Sequence, residues 1–152
     1  MKIGEKVTDF VLQNQNGKEV SLKSFKGKWI VLYFYPKDNT SGCTVEAQDF
    51  TKLKNDFTAE DAVILGVSKD SVKSHKSFES KKELNITLLS NTELDVLKVY
   101  EAWGLKKMYG KEYEGTVRTT YLITPDFKVG YLWKKVRAKG HAEEVLEKLQ
   151  EF

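Results

Sequence analysis

The most regular feature of the hydrophobic pattern is an unbroken apolar run of seven residues, from Trp29 to Tyr35, that ends at Pro36. A run of this length without polar positions is typical of a central strand that is covered on both faces. Proline ends the strand because it has no N–H group to donate to a neighbouring strand. A second apolar run over 62–67 predicts another buried strand. Together the two runs indicate a layered α/β sheet.

The remaining elements follow from shorter patterns. Apolar residues at helical spacing predict helices over 44–59, 71–84, 94–100 and 142–149. Short apolar segments between turn residues predict further strands over 7–12, 19–22, 86–89, 119–123 and 129–133. The first two of these strands flank a turn and are predicted to form a hairpin. The segment 104–115, which holds three glycines and three lysines, is predicted to be a loop.

The order of the predicted elements sets the fold class. Strands and helices alternate in the first part of the chain, and an antiparallel pair of strands comes near its end. A chain of 152 residues has the length of one ordinary domain. We therefore expect a single domain over 1–152, of class α/β, with a mixed central sheet, helices on both faces and an N-terminal β-hairpin.

The composition excludes several classes of protein. With 40% hydrophobic and 12% aromatic residues, the chain is globular rather than disordered. Its 25 Lys and Arg residues against 22 Asp and Glu residues give a net charge of +3, a balance too mixed to predict a nucleic-acid partner. No apolar run approaches the roughly 18–20 residues that cross a bilayer, and the first ten residues lack a signal-peptide pattern. We expect no membrane partner and a cytoplasmic location.

The chain has a single cysteine, Cys43. One cysteine cannot form an internal disulfide, a Cys-x-x-Cys pair or a multi-cysteine metal site. The two histidines lie in other segments, so no metal site is expected. We expect His75 to pack in the core, and His141 to cap the last helix or lie on the surface. A glycine pattern that would bind a cofactor is also missing from the sequence, so we expect no cofactor.

Cys43 lies where a thiol can be reactive. It follows the central strand and a short loop, and it falls in the first turn of the next predicted helix. A helix N-terminus carries partial positive charge and unpaired N–H groups, which favour a thiolate over a thiol. Gly42 allows close approach to the backbone, and Thr40 offers a hydroxyl three residues before the sulfur. A buried, unreactive cysteine is the alternative that this position alone leaves open.

The residues around Cys43 resemble a known family. Pro36-x-x-x-Thr40-x-x-Cys43 is similar to the active-site motif of the peroxiredoxins, and the stretch YFYPKDNTSGCTVE (33–46) resembles their bacterioferritin-comigratory-protein or peroxiredoxin Q branch. The likeness covers most of the chain, including 115–120. It implies a thioredoxin-like three-layer fold. It also implies a thiol-dependent peroxidase that reduces hydrogen peroxide and organic hydroperoxides through a cysteine sulfenic acid.

The resemblance also implies roles for individual residues. Cys43 corresponds to the peroxidatic cysteine, and Arg118 corresponds to the distant arginine of the site. Thr40 and Pro36 are the motif partners of the cysteine. The five N–H donors of an arginine lie in one plane and can serve sulfur and peroxide together. Glu46 fits a position that orients such an arginine, and its alternative role is that of a first-turn acid at the helix terminus.

The chain departs from this branch at the position of the second cysteine. Many relatives carry a second, resolving cysteine five residues after the first, but here that position is Gln48 and no other cysteine is present. Either an external thiol such as glutathione, a glutaredoxin or a thioredoxin reduces the sulfenic acid, or two Cys43 residues from different chains join. A monomer and a weak homodimer are both compatible with the sequence. Two other functions stay open, a monothiol thiol–disulfide exchanger and a thioredoxin-fold binding module or holdase without enzymatic activity.

Overall fold

The computed structural model describes residues 1–152 with the exception of the side chain of Met108. Its strands are β1 (Val11–Asn14), β2 (Glu19–Ser21), β3 (Trp29–Phe34), β4 (Ala62–Ser68), β5 (Thr87–Ser90), β6 (Trp103–Met108), β7 (Lys111–Thr116), β8 (Thr119–Ile123) and β9 (Val129–Trp133). Its α-helices are α1 (Ser41–Lys52), α2 (Lys54–Ala59), α3 (Val72–Lys82), α4 (Asp95–Val99) and α5 (His141–Gln150), and a 3-10 helix spans Leu22–Phe25.

Seven of the strands form one mixed sheet in the order β2-β1-β5-β4-β3-β8-β9. The strands β3, β4 and β5 run parallel, because α1 with α2, and then α3, cross over between them. The flanking strands β1 and β8 pair antiparallel with this central group, and β1 and β2 form the predicted N-terminal hairpin. The mixed central sheet is therefore confirmed.

The side chains of β3 point alternately into two cores, which explains why the whole strand is apolar. Val31 and Tyr33 pack with buried residues of α1, α2, α3 and α5 on one face of the sheet. Ile30, Leu32 and Phe34 pack with α4 and the 3-10 helix on the other face. Helices cover both faces, so the three-layer α/β arrangement is also confirmed. Within the described part of the chain, no helix is long and apolar enough to cross a membrane.

One predicted element is wrong, because the segment 104–115 forms most of the β6–β7 hairpin instead of a loop. Tyr109 and Gly110 have positive φ angles of 53° and 76° and join the two strands as a two-residue turn. This conformation matches the twist of a hairpin. Most side chains of β7 are exposed, so the segment lacks the apolar alternation of a half-buried strand, and its glycines and lysines resemble a loop.

Two predicted boundaries are also corrected. The helix predicted over 44–59 is two helices, α1 and α2, that join at Leu53, where ψ is 3° and the chain leaves the helical path. The hydrophobic pattern hides this break because apolar residues on both sides of it contact the same core. The first strand begins at Val11 instead of residue 7, since Val7 hydrogen-bonds to the turn between β8 and β9.

Candidate active site

The predicted site residues lie together where the carboxyl end of β3, the amino end of β8 and the first turn of α1 meet. Cys43 lies in the first turn of α1, beyond the carboxyl end of β3. Strand β8 is antiparallel to β3, with Thr119 opposite Phe34, so the amino end of β8 lies beside the carboxyl end of β3. Arg118 directly precedes β8 and therefore reaches Cys43 although the two residues are 75 positions apart.

Arg118 links the cysteine to a buried carboxylate. Its Nη2 donates to Sγ of Cys43 at 3.3 Å, and its Nη1 donates to Oε1 of Glu46 at 2.6 Å. Cys43 is 1% exposed and Glu46 is fully buried, whereas 16% of the Arg118 side chain is exposed. Cys43 and Glu46 are three positions apart on α1 and share one face of that helix. The planar guanidinium contacts both groups at once, which a lysine ammonium cannot do with the same geometry.

Burial and charge set the protonation of this cluster. Burial raises the pKa of Glu46 to about 7, although the charge and hydrogen bond of Arg118 lower it. For Arg118, burial lowers the pKa, but Glu46 and Cys43 raise it by more, so the guanidinium stays charged. Burial, followed by the charges of Glu46 and Cys43, raises the pKa of Tyr33 well above its usual value, so this phenol stays neutral. The cluster therefore holds a permanent cation beside the sulfur.

The residues before Cys43 leave space and free N–H groups near the sulfur. Thr40 is the N-cap of α1, and the first helical hydrogen bond joins the N–H of Thr44 to the carbonyl of Thr40 at 2.9 Å. The N–H groups of Gly42 and Cys43 therefore precede the bonded part of the helix. A Cβ atom added to Gly42 would lie 3.3 Å from Nη2 of Arg118. The glycine thus makes room for the guanidinium.

Thr40 and Pro36 lie on the open side of the cluster. The exposed hydroxyl of Thr40 donates to the carbonyl of Lys37 at 2.8 Å, which leaves the lone pairs of the hydroxyl oxygen for another donor. Pro36 lines, together with Arg118, a cavity of about 710 Å³. The structure therefore places Thr40 at the start of α1 and Pro36 in the wall of a cavity that reaches the arginine.

A second polar cluster, which sequence reasoning missed, fixes the loop before α1. The buried carboxylate of Asp38 accepts hydrogen bonds from the side chains of Tyr35 (2.7 Å), Ser74 (2.8 Å) and His75 (2.7 Å). The other ring nitrogen of His75 lies 2.9 Å from the carbonyl oxygen of Leu89. His75 is buried in the core, as predicted, and it attaches the active-site loop to α3 and β5.

The same cluster has the spacing of a metal site. Single ligand atoms of Asp38, Asp70 and His75 lie within 4.8 Å of one another. Hydrogen bonds within the protein already engage these atoms, since Asp70 accepts from the N–H of Asp38 (2.9 Å) and from the hydroxyl of Ser68 (2.6 Å). A metal ion would have to displace these bonds. The arrangement fits a structural hydrogen-bond network better than a cation site.

The prediction for His141 is wrong, because this residue is buried, so that it neither lies on the surface nor caps α5. It is the first residue of α5, after the N-cap Gly140. Its Nε2 lies 2.8 Å from Oγ1 of Thr120, and its Nδ1 lies 3.0 Å from Oε1 of Glu144. Burial lowers the pKa of His141, although Glu144 raises it, so the neutral ring is favoured.

The chain is similar to several known proteins over its full length. The sequence model of the AhpC/TSA family matches residues 3–132. Peroxiredoxin Bcp of Bacillus subtilis is 44% identical over 152 residues, which cover 100% of this chain and 97% of that protein. A cysteine-to-serine mutant of peroxiredoxin Q from Xylella fastidiosa superimposes with a TM-score of 0.95 at 37% identity, over 99% of this chain and 96% of that one.

A further solved structure is that of the bacterioferritin comigratory protein of Xanthomonas campestris, from trapped intermediate/ligand complexes that bear on its alkyl peroxide reduction activity. It superimposes with a TM-score of 0.89 at 39% identity, over 93% of this chain and 90% of that one. The similarity therefore extends to the sequence, to the fold and to nearly the whole length of each chain.

Proposed function

The chain belongs to the AhpC/TSA family of peroxiredoxins, and on this basis we propose that Cys43 is the residue that attacks the peroxide. Peroxiredoxins are thiol-dependent peroxidases, so the chain reduces a peroxide at the expense of a thiol. The thioredoxin-like fold implied by the motif is confirmed as well. The observation that supports Cys43 most strongly is the 3.3 Å hydrogen bond from Arg118 to its sulfur.

The reaction begins when the thiolate of Cys43 attacks one peroxide oxygen. The O–O bond breaks, the sulfur gains an oxygen, and the leaving oxygen takes a proton and departs as water or an alcohol, so that Cys43 becomes a sulfenic acid. A free thiol is roughly 3% ionised at pH 7, so complete ionisation increases the nucleophile by about 30-fold at most. Peroxidase rates need far more. The rest comes from groups that place the O–O bond and stabilise charge on the leaving oxygen.

Each neighbouring residue supplies one part of this environment. Nη2 of Arg118 stabilises the thiolate and is placed to donate to a peroxide bound against the sulfur. Glu46 holds the arginine through Nη1, and Gly42 leaves space for the guanidinium. The N–H groups at the start of α1 and the hydroxyl of Thr40 offer polar partners for the peroxide oxygens. Pro36 forms part of the wall of the cavity that Arg118 also lines.

The reductant is proposed to be a separate thiol molecule, because the chain holds one cysteine. Direct joining of two Cys43 residues from different chains is disfavoured, since this residue is 1% exposed and each sulfur would have to leave its own protein. Glutathione, a glutaredoxin and a thioredoxin all have the required chemistry. Hydrogen peroxide and organic hydroperoxides are the proposed substrates, and the alkyl peroxide reduction of the Xanthomonas relative supports the second class.

The proposed setting is a single domain over 1–152 that acts in the cytoplasm as a monomer or a weak homodimer. A lone active thiol requires a reducing compartment to be restored after each turnover. The mixed charge of the chain supports neither a nucleic-acid partner nor a membrane partner. The two other functions considered, thiol–disulfide exchange without peroxidase activity and binding without catalysis, are not favoured by membership of a peroxidase family.

Oxidation with one equivalent of hydrogen peroxide, followed by dimedone, tests the role of Cys43, since dimedone labels a sulfenic acid. We expect one label per chain on Cys43, and none in the Cys43→Ser variant. Electrophoresis of the same samples without reductant is expected to show a monomer. A wild-type chain that loses no thiol and takes no label contradicts the assignment. A covalent dimer would show instead that two Cys43 residues join.

A further inference from the structure

The cavity beside Arg118 is large enough for a small organic molecule. Its volume of about 710 Å³ lies within the range of roughly 300–1,000 Å³ that is typical of ligand sites. Arg118, whose Nη2 contacts the sulfur of Cys43, forms part of its lining. A molecule held in this cavity therefore lies against the arginine that contacts the reacting sulfur. Hydrogen peroxide is far smaller than the cavity and does not account for it.

The lining of the cavity is strongly cationic. Besides Arg118, it contains Lys106, Lys107 and Lys135, against the single carboxylate of Glu112. Lys107 lies 3.7 Å from Glu112, and both side chains are more than half exposed, so this pair is weak. Neither of the other two lysines has a carboxylate within 4.0 Å among the residues that the structure describes. Lys106 and Lys135 thus bring positive charge to the cavity that no carboxylate within salt-bridge distance neutralises in the described part of the chain.

Lys106 belongs to the same electrostatic environment as the active site. Burial lowers its pKa, Arg118 lowers it further, and Cys43 raises it, which shows that its ammonium senses both groups. Lys135 is exposed on the segment after β9 and also lines the cavity. Between the lysines, Leu105, Val117 and Val136 provide aliphatic contacts. The combination suits a small ligand with a short apolar body and negative groups.

We propose that this cavity binds the reductant of Cys43, and that the reductant is a low-molecular-weight thiol that carries at least one carboxylate. This inference rests on the proposed function, because it concerns the second half of the same catalytic cycle. The attacking form of a thiol is the thiolate, which is itself an anion. The lysines that line the cavity with Arg118 therefore favour both the carboxylate of the reductant and its ionised sulfur. The buried position of Cys43 favours a small molecule over a protein dithiol.

The reduction balances with two molecules of this thiol. The first thiolate attacks the sulfenic sulfur of Cys43, an S–S bond forms, the S–O bond breaks, and the oxygen leaves as water after it takes a proton. A second thiolate then attacks the sulfur of the bound thiol. This step releases Cys43 as a thiolate and the two small thiols as their disulfide. Two electrons pass from the thiols to the sulfenic acid, which matches the two electrons consumed by the peroxide.

A series of thiols of similar size and different charge tests the proposal. Wild-type protein is first oxidised with one equivalent of hydrogen peroxide and then mixed with 3-mercaptopropionate, 2-mercaptoethanol or cysteamine, whose side groups are anionic, neutral and cationic. Rates are divided by the thiolate concentration of each reagent. We expect the anionic thiol to react fastest and the cationic thiol slowest, with a spread of about tenfold at low ionic strength. The spread is expected to shrink in high salt.

The variant with Lys106→Gln and Lys135→Gln is expected to lose this order, so that the three thiols react at rates within about twofold of one another. Lys18→Gln is the matched control, since Lys18 is exposed in the β1–β2 turn at the far edge of the sheet and is expected to keep the order. Ratios between thiols within one variant are compared, so a general change in reactivity does not affect the result.

Three results would overturn the proposal. One is a wild-type protein that is oxidised normally but whose rates with the three thiols do not depend on the charge of the thiol. Another is an order that persists unchanged when both lysines are replaced. The third is a preference for a carboxylate in the oxidation step alone, measured with a hydroperoxide that carries one, which would assign the cavity to the substrate. Wild-type protein that is not oxidised by hydrogen peroxide at all would contradict the proposed function itself.

Discussion

Replacement of Arg118 by lysine tests whether the active site depends on the geometry of the guanidinium or on positive charge alone. Arg118 contacts Sγ of Cys43 at 3.3 Å and Oε1 of Glu46 at 2.6 Å from two different nitrogens. Lysine keeps the charge but has one nitrogen. An ammonium that neutralises the buried carboxylate of Glu46 leaves the sulfur and the peroxide without a cationic donor.

The expected loss follows from this missing contact. One hydrogen bond to a charged group contributes about 1.5–3 kcal/mol, and a loss of about 2–3 kcal/mol in the transition state slows a reaction about 30- to 150-fold. The fold is expected to survive, because residue 118 directly precedes β8 and its side chain is partly exposed. We therefore expect slow oxidation of Cys43 in a protein whose circular dichroism spectrum matches that of the wild type.

Stopped-flow tryptophan fluorescence during mixing with hydrogen peroxide measures this step, since it follows oxidation of Cys43 without any reductant. Arg137→Lys is the matched control, because Arg137 is the only other arginine of the chain and is exposed. The control is expected to react within about twofold of the wild type. If Arg118→Lys also reacts within about threefold of the wild type, positive charge alone is sufficient and the geometric explanation is refuted.

Substitutions at three further positions have expected outcomes. Gly42→Ala places a Cβ 3.3 Å from Nη2 of Arg118, so the oxidation of Cys43 measured by stopped flow should slow about tenfold. The Tm should stay the same or rise, because alanine favours the helix. An unchanged oxidation rate would contradict the need for space at residue 42. Thr40→Val should slow the same reaction about tenfold or more, and Thr40→Ser should restore it to within about threefold, if the hydroxyl contacts the peroxide; equal rates in both variants would exclude such a contact. Burial raises the pKa of Glu46 from 4.5 to about 7, so the folded state holds this proton more tightly than the unfolded state. The free energy of unfolding should therefore fall as pH rises from about 4.5 to about 7, with a contribution from this group of about 3 kcal/mol. Denaturant titrations at several pH values give the free energy of unfolding as a function of pH. This free energy should fall less steeply with pH in Glu46→Gln than in the wild type, and an identical pH dependence in the two proteins would contradict the burial argument.

The local part of the site could be predicted from the sequence, because it depends on neighbours along the chain. The apolar run that forms β3 and the polar loop after it predict where Cys43 lies, at the first turn of α1. The spacing of three residues puts Glu46 on the same helical face as the cysteine. The proximity of Arg118 has no local signal, since it depends on how β8 pairs with β3. Only the resemblance to a family pointed to that residue.

Features that depend on tertiary packing escaped prediction. The hydrogen bond between Asp38 and His75 joins residues 37 positions apart, and no pattern in the sequence links them. The sequence pattern predicts a loop around Lys106, but the β6–β7 hairpin places this residue in the lining of the cavity beside Arg118. The hairpin is polar on most positions of β7, and the periodicity that identifies strands requires one buried face. His141 is likewise buried by tertiary contacts, since Thr120 of β8 and the ring of Trp133 of β9 pack against it.

The rate at which Cys43 itself is oxidised by hydrogen peroxide is the most direct measure of the proposed site. Loss of the thiol is followed after rapid mixing with one equivalent of peroxide, and the rate constant is compared with that of free cysteine, each divided by its thiolate concentration. Positioning and electrostatic stabilisation by the surrounding groups should make Cys43 faster by more than about 1,000-fold, with one peroxide consumed per chain. A rate constant equal to that of free cysteine would contradict a role for Arg118 and the start of α1 in activating the peroxide.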